Sequence, residues 1–186
     1  VVMDPCAMDE YVEADAVSLS HGHLDHADFA EIRPGSLIAS APGTASVRGI
    51  VLSGFAGVHY SGDASVTNVM RLIEIDGYRI LHLGSQARVP EPQTLAAIGA
   101  VDVLIIQVFA PGNRKLCVEE AAIIAAVLRP RIVVPAHGDA RLNGELAKAL
   151  GAELRIIPDG RLVIERAMLD SPGSAVVADM DAMIGY

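Results

Sequence analysis

Short apolar runs rich in valine and isoleucine recur along this chain, and each is bounded by Gly, Pro, Asp or His, as β-strands usually are. The pattern predicts strands at Ala16–Ser20, Ser36–Ser40, Gly49–Gly54, Val66–Ile75, Tyr78–Gly84, Val101–Val108, Arg131–Ala136, Leu154–Pro158 and Arg161–Arg166. Asp76-Gly77 and Asp159-Gly160 each separate two successive strands, so both dipeptides predict hairpin turns.

Helical patterns fall between other strands. They predict helices at Pro92–Gly99, at Val118–Leu128 and at Asn143–Leu150, and the last two are closed by Pro130 and Gly151. This mixture of hairpins and strand-helix-strand units indicates sheet layers covered by helices, of the α+β or α/β class. We expect one domain over residues 1–170 and a C-terminal extension over 171–186, where the chain turns to Pro, Gly, Ala and Asp.

The composition excludes several classes of protein. With 52% hydrophobic and 20% charged residues in 186, the chain is too apolar for intrinsic disorder. A net charge of −9 opposes binding to nucleic acid, and no apolar run is long enough to span a bilayer. The start of the chain lacks the basic and apolar regions of a secretory signal, and two cysteines do not make a disulfide framework. We therefore expect a cytoplasmic protein that binds neither membranes nor nucleic acid.

Histidine is concentrated in one short segment. His21, His23 and His26 lie within six residues together with Asp25, directly after the predicted strand Ala16–Ser20. Imidazole and carboxylate are ligands that suit Zn²⁺, and also Mn²⁺ or Fe²⁺. Histidines two positions apart can point together while the other two side chains face a neighbouring position, which favours two adjacent metal sites. The alternative is a polar surface loop whose histidines only cap the next helix.

Two further histidines also follow predicted strands. His59 comes after the apolar run that begins at Gly49, and His137 comes after Arg131–Ala136. Each of them alone would suit a hydrogen-bonded structural residue. Beside the histidine cluster, both become candidate metal ligands.

These residues resemble the metallo-β-lactamase superfamily of metal-dependent hydrolases, especially its lactonase-like branch related to ascorbate-6-phosphate lactonase. The resemblance covers about Val1 to Arg166, and it rests on Met3-Asp4-Pro5, the segment His21–His26, His59, the strand end Leu81–Ser85 and Val134–Gly138. It implies an α+β fold, a four-layer αββα sandwich with a metal site at its edge. It also implies that His21, His23 and His59 hold one metal ion, and that Asp25, His26 and His137 hold the other.

The chain departs from the family in two places. Ser85 stands where the family has an aspartate that bridges both metals, so one or two ions per chain are expected, with the second site weakened. Ser85 and Asp4 then remain as candidates for contacts behind the ligands. The family also begins with a strand pair ahead of the Asp-Pro segment, whereas Val1 stands at that segment, so either an amino-terminal piece precedes Val1 or one edge of the sheet is uncovered. An uncovered apolar edge would favour a homo-oligomer, or a tail that folds back on its own sheet.

The resemblance implies a metal-dependent hydrolase acting on a small-molecule substrate. A metal-bound hydroxide would attack an ester, lactone or related bond, with Asp25 as a ligand that also orients the hydroxide. The competing hypothesis is a catalytically impaired member of the fold that serves as a metal or ligand binder, and Ser85 is the residue that supports it.

Overall fold

The computed structural model describes residues 1–6, 8, 10–23, 26–60, 63–170 and 175–180. Within them the chain divides into two compact units, Val1–Ala87 and Arg88–Tyr186. The first unit contains two sheets, and the second contains parallel strands with helices between them.

The first unit begins with a small parallel sheet in the order β1-β2-β3, formed by Val2–Met3, Ala16–Ser18 and Leu37–Ala39. It continues with an antiparallel ladder of β4 (Gly43–Val47), β5 (Ile50–Tyr60), β6 (Asp63–Ile75) and β7 (Tyr78–His82). A hydrophobic core joins the two sheets, because Ala16 and Ala39 pack with Ile50, Leu52 and Ile73. Strand β2, which leads into the histidine segment, thereby packs against the ladder.

Two tight turns build this ladder. Asp76 and Gly77 both have positive φ, at 50° and 76°, as the predicted hairpin between β6 and β7 requires. Arg48 and Gly49 do the same between β4 and β5, with φ of 48° and 83°. The sequence analysis missed β4, because an arginine is not the residue that usually marks such a turn.

The second unit contains α1 (Pro92–Ile98), β8 (Val103–Gln107), α2 (Val118–Leu128), β9 (Ile132–Ala136), α3 (Ala140–Leu150), β10 (Glu153–Ile157), α4 (Arg166–Asp170) and β11 (Val176–Met180). Its strands lie in the order β8-β9-β11-β10 and are all parallel. Buried side chains of α2, such as Ile124 and Leu128, form the apolar face of that helix. Asp139 caps α3 by accepting a hydrogen bond from the Leu142 amide at 2.8 Å.

The last predicted hairpin is wrong. Pro158–Gly160 form a single 3₁₀ turn, and the predicted strand Arg161–Arg166 is irregular chain that leads into α4. Val163 is 63% exposed, whereas Val177 in β11 is fully buried, so β11 contributes the better apolar surface and occupies the place between β9 and β10. The described part of the C-terminal segment thus folds back on its own sheet.

Candidate metal centre

The two residues that precede His21 are hydrogen-bonded to a strand on each side. The amide of Leu19 donates to the carbonyl of Ala39 at 3.0 Å, and the carbonyl of Ser20 accepts from the Val69 amide at 2.7 Å. The chain therefore runs between β3 and β6 as it enters His21. The side chain of Ser20 is 2% exposed, so this anchor lies in the protein interior.

A chain of hydrogen bonds leads from Asp4 to His21. Asp4 Oδ1 accepts from the Ser20 amide at 2.6 Å, and Asp4 Oδ2 accepts from Ser20 Oγ at 2.5 Å. Ser20 Oγ lies 2.8 Å from His21 Nδ1. A hydroxyl has a single O–H donor, and Ser20 gives it to the carboxylate, so Nδ1 of His21 must carry a proton and donate it to Oγ. Asp4 is thus linked to the ring of His21 through the hydroxyl of Ser20.

This tautomer leaves the other ring nitrogen of His21 with a lone pair. His21 Nε2 is buried and has no hydrogen-bond partner among the residues that the structure describes. A buried polar atom without a partner costs free energy unless something outside the protein satisfies it. An imidazole that donates through Nδ1 and presents Nε2 is the arrangement found in metal-ligating histidines.

His21, His23 and His59 lie together. Their ligand atoms are all within 4.8 Å of one another, and the ring of His21 is 4.7 Å from that of His23 and 4.5 Å from that of His59. His21 and His59 are buried and His23 is partly exposed, so the group is open to solvent on one side. A donor set of three imidazoles with one side open fits a divalent transition metal ion.

His26 also lies beside this group, because its ring is 4.3 Å from the ring of His21. Asp25, the expected partner of His26 in a second site and the expected catalytic residue, lies outside the described residues. The structure therefore brings together the histidines at positions 21, 23, 26 and 59, all in the first unit.

The protonation of His21 agrees with a ligand role. The pKa of His21 is lowered from 6.5 to about 4, chiefly by burial and then by the neighbouring His26 and His59, while Asp4 acts in the opposite direction. The ring is therefore neutral at pH 7, which metal ligation requires.

Ser85 is held in place by a buried polar network that the sequence analysis missed. Its amide donates to Asn68 Oδ1 at 2.9 Å, and Asn68 Nδ2 donates to the Leu83 carbonyl at 2.9 Å and to Gln86 Oε1 at 3.2 Å. Gln86 Oε1 also accepts from the Val58 amide at 3.0 Å, next to His59. Asn68 thus ties the Ser85 loop to β5 and β6, and a polar residue in the middle of an apolar strand was the available signal.

His137 lies in the second unit, directly after β9. Its φ of 58° is in the left-handed region, where residues other than glycine are uncommon. Its ring stacks on Phe109 with centroids 5.8 Å apart. Backbone strain of this kind often occurs at functional positions.

No helix among the described residues is both long enough and apolar enough to cross a membrane. Among the described residues, the longest helices are α2 and α3, with 11 residues each.

Comparisons with known proteins identify the fold. A family model, the β-lactamase superfamily domain, matches residues 1–137. No curated protein matches the chain. A proposed zinc-dependent hydrolase of the metallo-β-lactamase superfamily from Thermotoga maritima is similar with a TM-score of 0.76 and 22% identity, over 95% of this chain and 87% of that one.

Two other solved structures are also similar. A proposed metal-dependent hydrolase from Parabacteroides distasonis has a TM-score of 0.65 and 19% identity, over 91% of this chain and 78% of that one. CmlA, a diiron β-hydroxylase from Streptomyces venezuelae, has a TM-score of 0.59 and 13% identity, over 93% of this chain and 45% of that one. At these identities the likeness concerns the fold, and it confirms the α+β fold of metallo-β-lactamase type that the family resemblance implies.

Proposed function

We propose that this chain, which belongs to the metallo-β-lactamase superfamily, is a metal-dependent hydrolase of ester, lactone or related bonds. The observation that carries the proposal is the buried Nε2 of His21, which has no protein partner among the described residues and lies with the rings of His23 and His59. A structural histidine in a packed interior would have satisfied that nitrogen.

His21, His23 and His59 would hold one ion, Zn²⁺ by preference, with Mn²⁺ or Fe²⁺ as alternatives. Asp25, His26 and His137 are proposed for a second ion, as the family resemblance implies. Ser85 places no charge where the family has its bridging acid, so the second ion would bind more weakly than the first.

When bound, the metal would supply a Lewis acid that acidifies a water molecule and polarises the carbonyl of the substrate. The residues of this chain would hold the metal ligands in the required protonation state and orient the attacking water. Ser20 and Asp4 hold the proton on Nδ1 of His21, which keeps Nε2 free to ligate. Asp25 is proposed to orient the attacking water by accepting a hydrogen bond from it.

The substrate is proposed to be a small molecule, because a net charge of −9 repels polyanionic nucleic acid. The resemblance to the lactonase-like branch favours acyl and lactone bonds over phosphodiesters. CmlA, which has a similar fold, is a diiron enzyme, so iron is to be quantified together with zinc and manganese.

The test combines metal analysis with a substrate panel. The purified chain is dialysed, its metal content is measured, and it is assayed with esters, lactones and phosphodiesters with and without chelator. We expect bound transition metal, and hydrolysis of an ester or lactone that stops in chelator and returns with Zn²⁺ or Mn²⁺. His23→Ala is the cleanest variant, because His23 is only partly buried. Metal content unchanged in this variant would refute the assignment.

Ser85 supports a second candidate function, a metal or ligand binder with impaired catalysis. Its hydroxyl is neutral and its amide is committed to Asn68. Stable metal binding without hydrolysis of any substrate in the panel would favour this candidate.

A further inference from the structure

Arg71 is a charged side chain in the interior of the first unit. It lies in the middle of β6, pairs with Gly54 of β5 and His82 of β7, and is 1% exposed. A buried charge is costly unless it is paired with an opposite charge or fully hydrogen-bonded. The partners of this guanidinium therefore matter.

The hydrogen bonds between Arg71 and the described residues all go to neutral acceptors. Nε donates to Ser18 Oγ at 3.2 Å, and Nη2 donates to the carbonyls of Ala39 at 3.0 Å and Ala41 at 3.2 Å. Among the described residues, Nη1 has no acceptor, and no carboxylate forms an ion pair with the guanidinium. Asp4 offsets only in part the effect of burial, which lowers the pKa of Arg71. One end of the guanidinium thus remains uncompensated.

This side chain lines a groove that is open to solvent. The groove has a volume of about 240 Å³, and its other walls come from the chain between Ile38 and Ala45, including the exposed Ser40 and Thr44. Gly54 leaves room at the inner end, because a Cβ there would overlap Nη1 and the Ala41 carbonyl. A donor with positive charge thus lies at the floor of a groove with polar groups at its rim.

The groove lies near the histidines. β2 and β3 are parallel, so the segment after β3 that lines the groove and the segment after β2 that carries His21 emerge at the same edge of the sheet. Ser18, which accepts from Arg71, is three residues from His21, so their Cα atoms are at most ~11 Å apart. One small molecule could reach both places.

We propose that this groove binds the carboxylate or phosphate group of a small molecule, with Nη1 of Arg71 as the principal donor. Guanidinium N–H groups match the oxygens of both anions in geometry and charge. An anion there would supply the missing acceptor and the missing negative charge together. The further statement that this anion is part of the hydrolase substrate rests on the proposed function.

The binding test does not depend on hydrolysis. The full chain, freed of metal by chelator and dialysis, is titrated at pH 8 and constant ionic strength with inorganic phosphate and, separately, with acetate. The resonance of the Arg71 Nε–H group is followed by NMR. We expect the chemical shift of this resonance to change and reach saturation with at least one of the two anions. The anion that gives saturation identifies whether the groove binds a phosphate or a carboxylate group. The absence of saturation with both anions would overturn the proposal.

A charge at the rim provides the decisive variant. Thr44 is exposed and shares no bond with Arg71, so Thr44→Asp should fold while its carboxylate repels the anion. Thr44→Asn has nearly the same shape without the charge and serves as the matched control. We expect Thr44→Asp to bind the saturating anion at least threefold more weakly than Thr44→Asn. Equal affinities for the two variants would refute a site in this groove.

Arg71→Lys keeps the charge and removes the planar donor group, and we expect at least a tenfold loss of affinity. If this buried substitution prevents folding, the comparison of Thr44→Asp with Thr44→Asn still tests the anion site.

A separate experiment tests whether the anion is part of the hydrolase substrate. Pairs of esters that differ only in carrying or lacking a free carboxylate group are compared in the metal-loaded protein. A lower KM for the acidic ester, raised in Thr44→Asp but not in Thr44→Asn, is expected. Anion binding without that KM difference would keep the groove and refute only its link to the substrate.

Discussion

Removing the hydroxyl of Ser20 should weaken metal binding without removing any ligand. In Ser20→Ala, Nδ1 of His21 loses its acceptor, while the Ser20 amide still donates to Asp4 at 2.6 Å. Asp4 loses the bond from Ser20 Oγ but keeps the one from the amide. The backbone anchor of the segment is therefore retained, and the change is confined to the hydrogen-bond chain behind the ligand.

The size of the effect follows from the burial of the ring. His21 is 6% exposed, so an Nδ1–H group without an acceptor costs about 1–3 kcal/mol. The ring can avoid that cost by changing its tautomer or its orientation, and either change takes Nε2 out of ligating geometry. Loss of an outer partner of this kind typically reduces metal affinity about 10- to 100-fold. We expect Ser20→Ala to fall in that range.

The assay is competition for Zn²⁺ against a chelator of known affinity, at pH 7.5, with circular dichroism to verify folding. Ser18→Ala is the matched control, because Ser18 is also buried at the end of β2 but bonds to Arg71 instead of His21. Wild-type affinity in Ser20→Ala, or an equal loss in Ser18→Ala, would refute the role of the hydrogen-bond chain. In a double-mutant cycle, Asp4→Asn and Ser20→Ala should be strongly non-additive, because they break the same chain.

Three further results are expected. Ser85→Asp should raise the metal content toward about two ions per chain, whereas Ser85→Asn should not; equal ratios in the two variants would mean that the charge at this position is irrelevant. As pH falls from 6.5 to 4, the free energy of unfolding of the metal-free protein should decrease by up to about 3 kcal/mol, because His21 becomes protonated in the unfolded chain but not in the folded one. Urea unfolding at several pH values should show this decrease, and His21→Gln should make the free energy of unfolding less dependent on pH. Val177→Ala should lower the free energy of unfolding by about 2 kcal/mol, because this side chain is fully buried in β11. The exposed Val163→Ala should change it by less than about 0.5 kcal/mol, and similar losses in the two variants would contradict the placement of β11.

Most of the strands and helices were predictable, because their apolar residues recur at the spacing of buried elements. The hairpin at Asp76-Gly77 carried an explicit turn signal. The hairpin at Asp159-Gly160 carried the same signal and is absent, because β10 pairs in parallel with β11 instead. A local dipeptide cannot show that a segment distant in sequence will bury more apolar surface at the same place in the sheet.

The parts of the candidate site that depend on residue type and spacing could be predicted from the sequence. The parts that depend on contacts between distant residues could not. The cluster of His21, His23 and His26 with Asp25 predicted a metal site from residue type and spacing, and His59 became a candidate ligand only beside that cluster. Asp4 was expected from the resemblance, but the serine that joins it to His21 was not, because serine is common and its role appears only with distances of 2.5 and 2.8 Å. Arg71 was likewise missed, since its burial depends on the packing of two sheets.

The position of Asp4 connects the two proposed binding sites. Its carboxylate raises the pKa of both His21 and Arg71 against the effect of burial, so its negative charge reaches both groups. Because Ser85 adds no charge, Asp4 would offset a cation at His21 through Ser20 rather than by direct ligation. The same charge opposes an anion at Arg71. A metal ion at the histidines would neutralise that opposition, so metal and anion should bind with positive coupling, as opposite charges in one interior require.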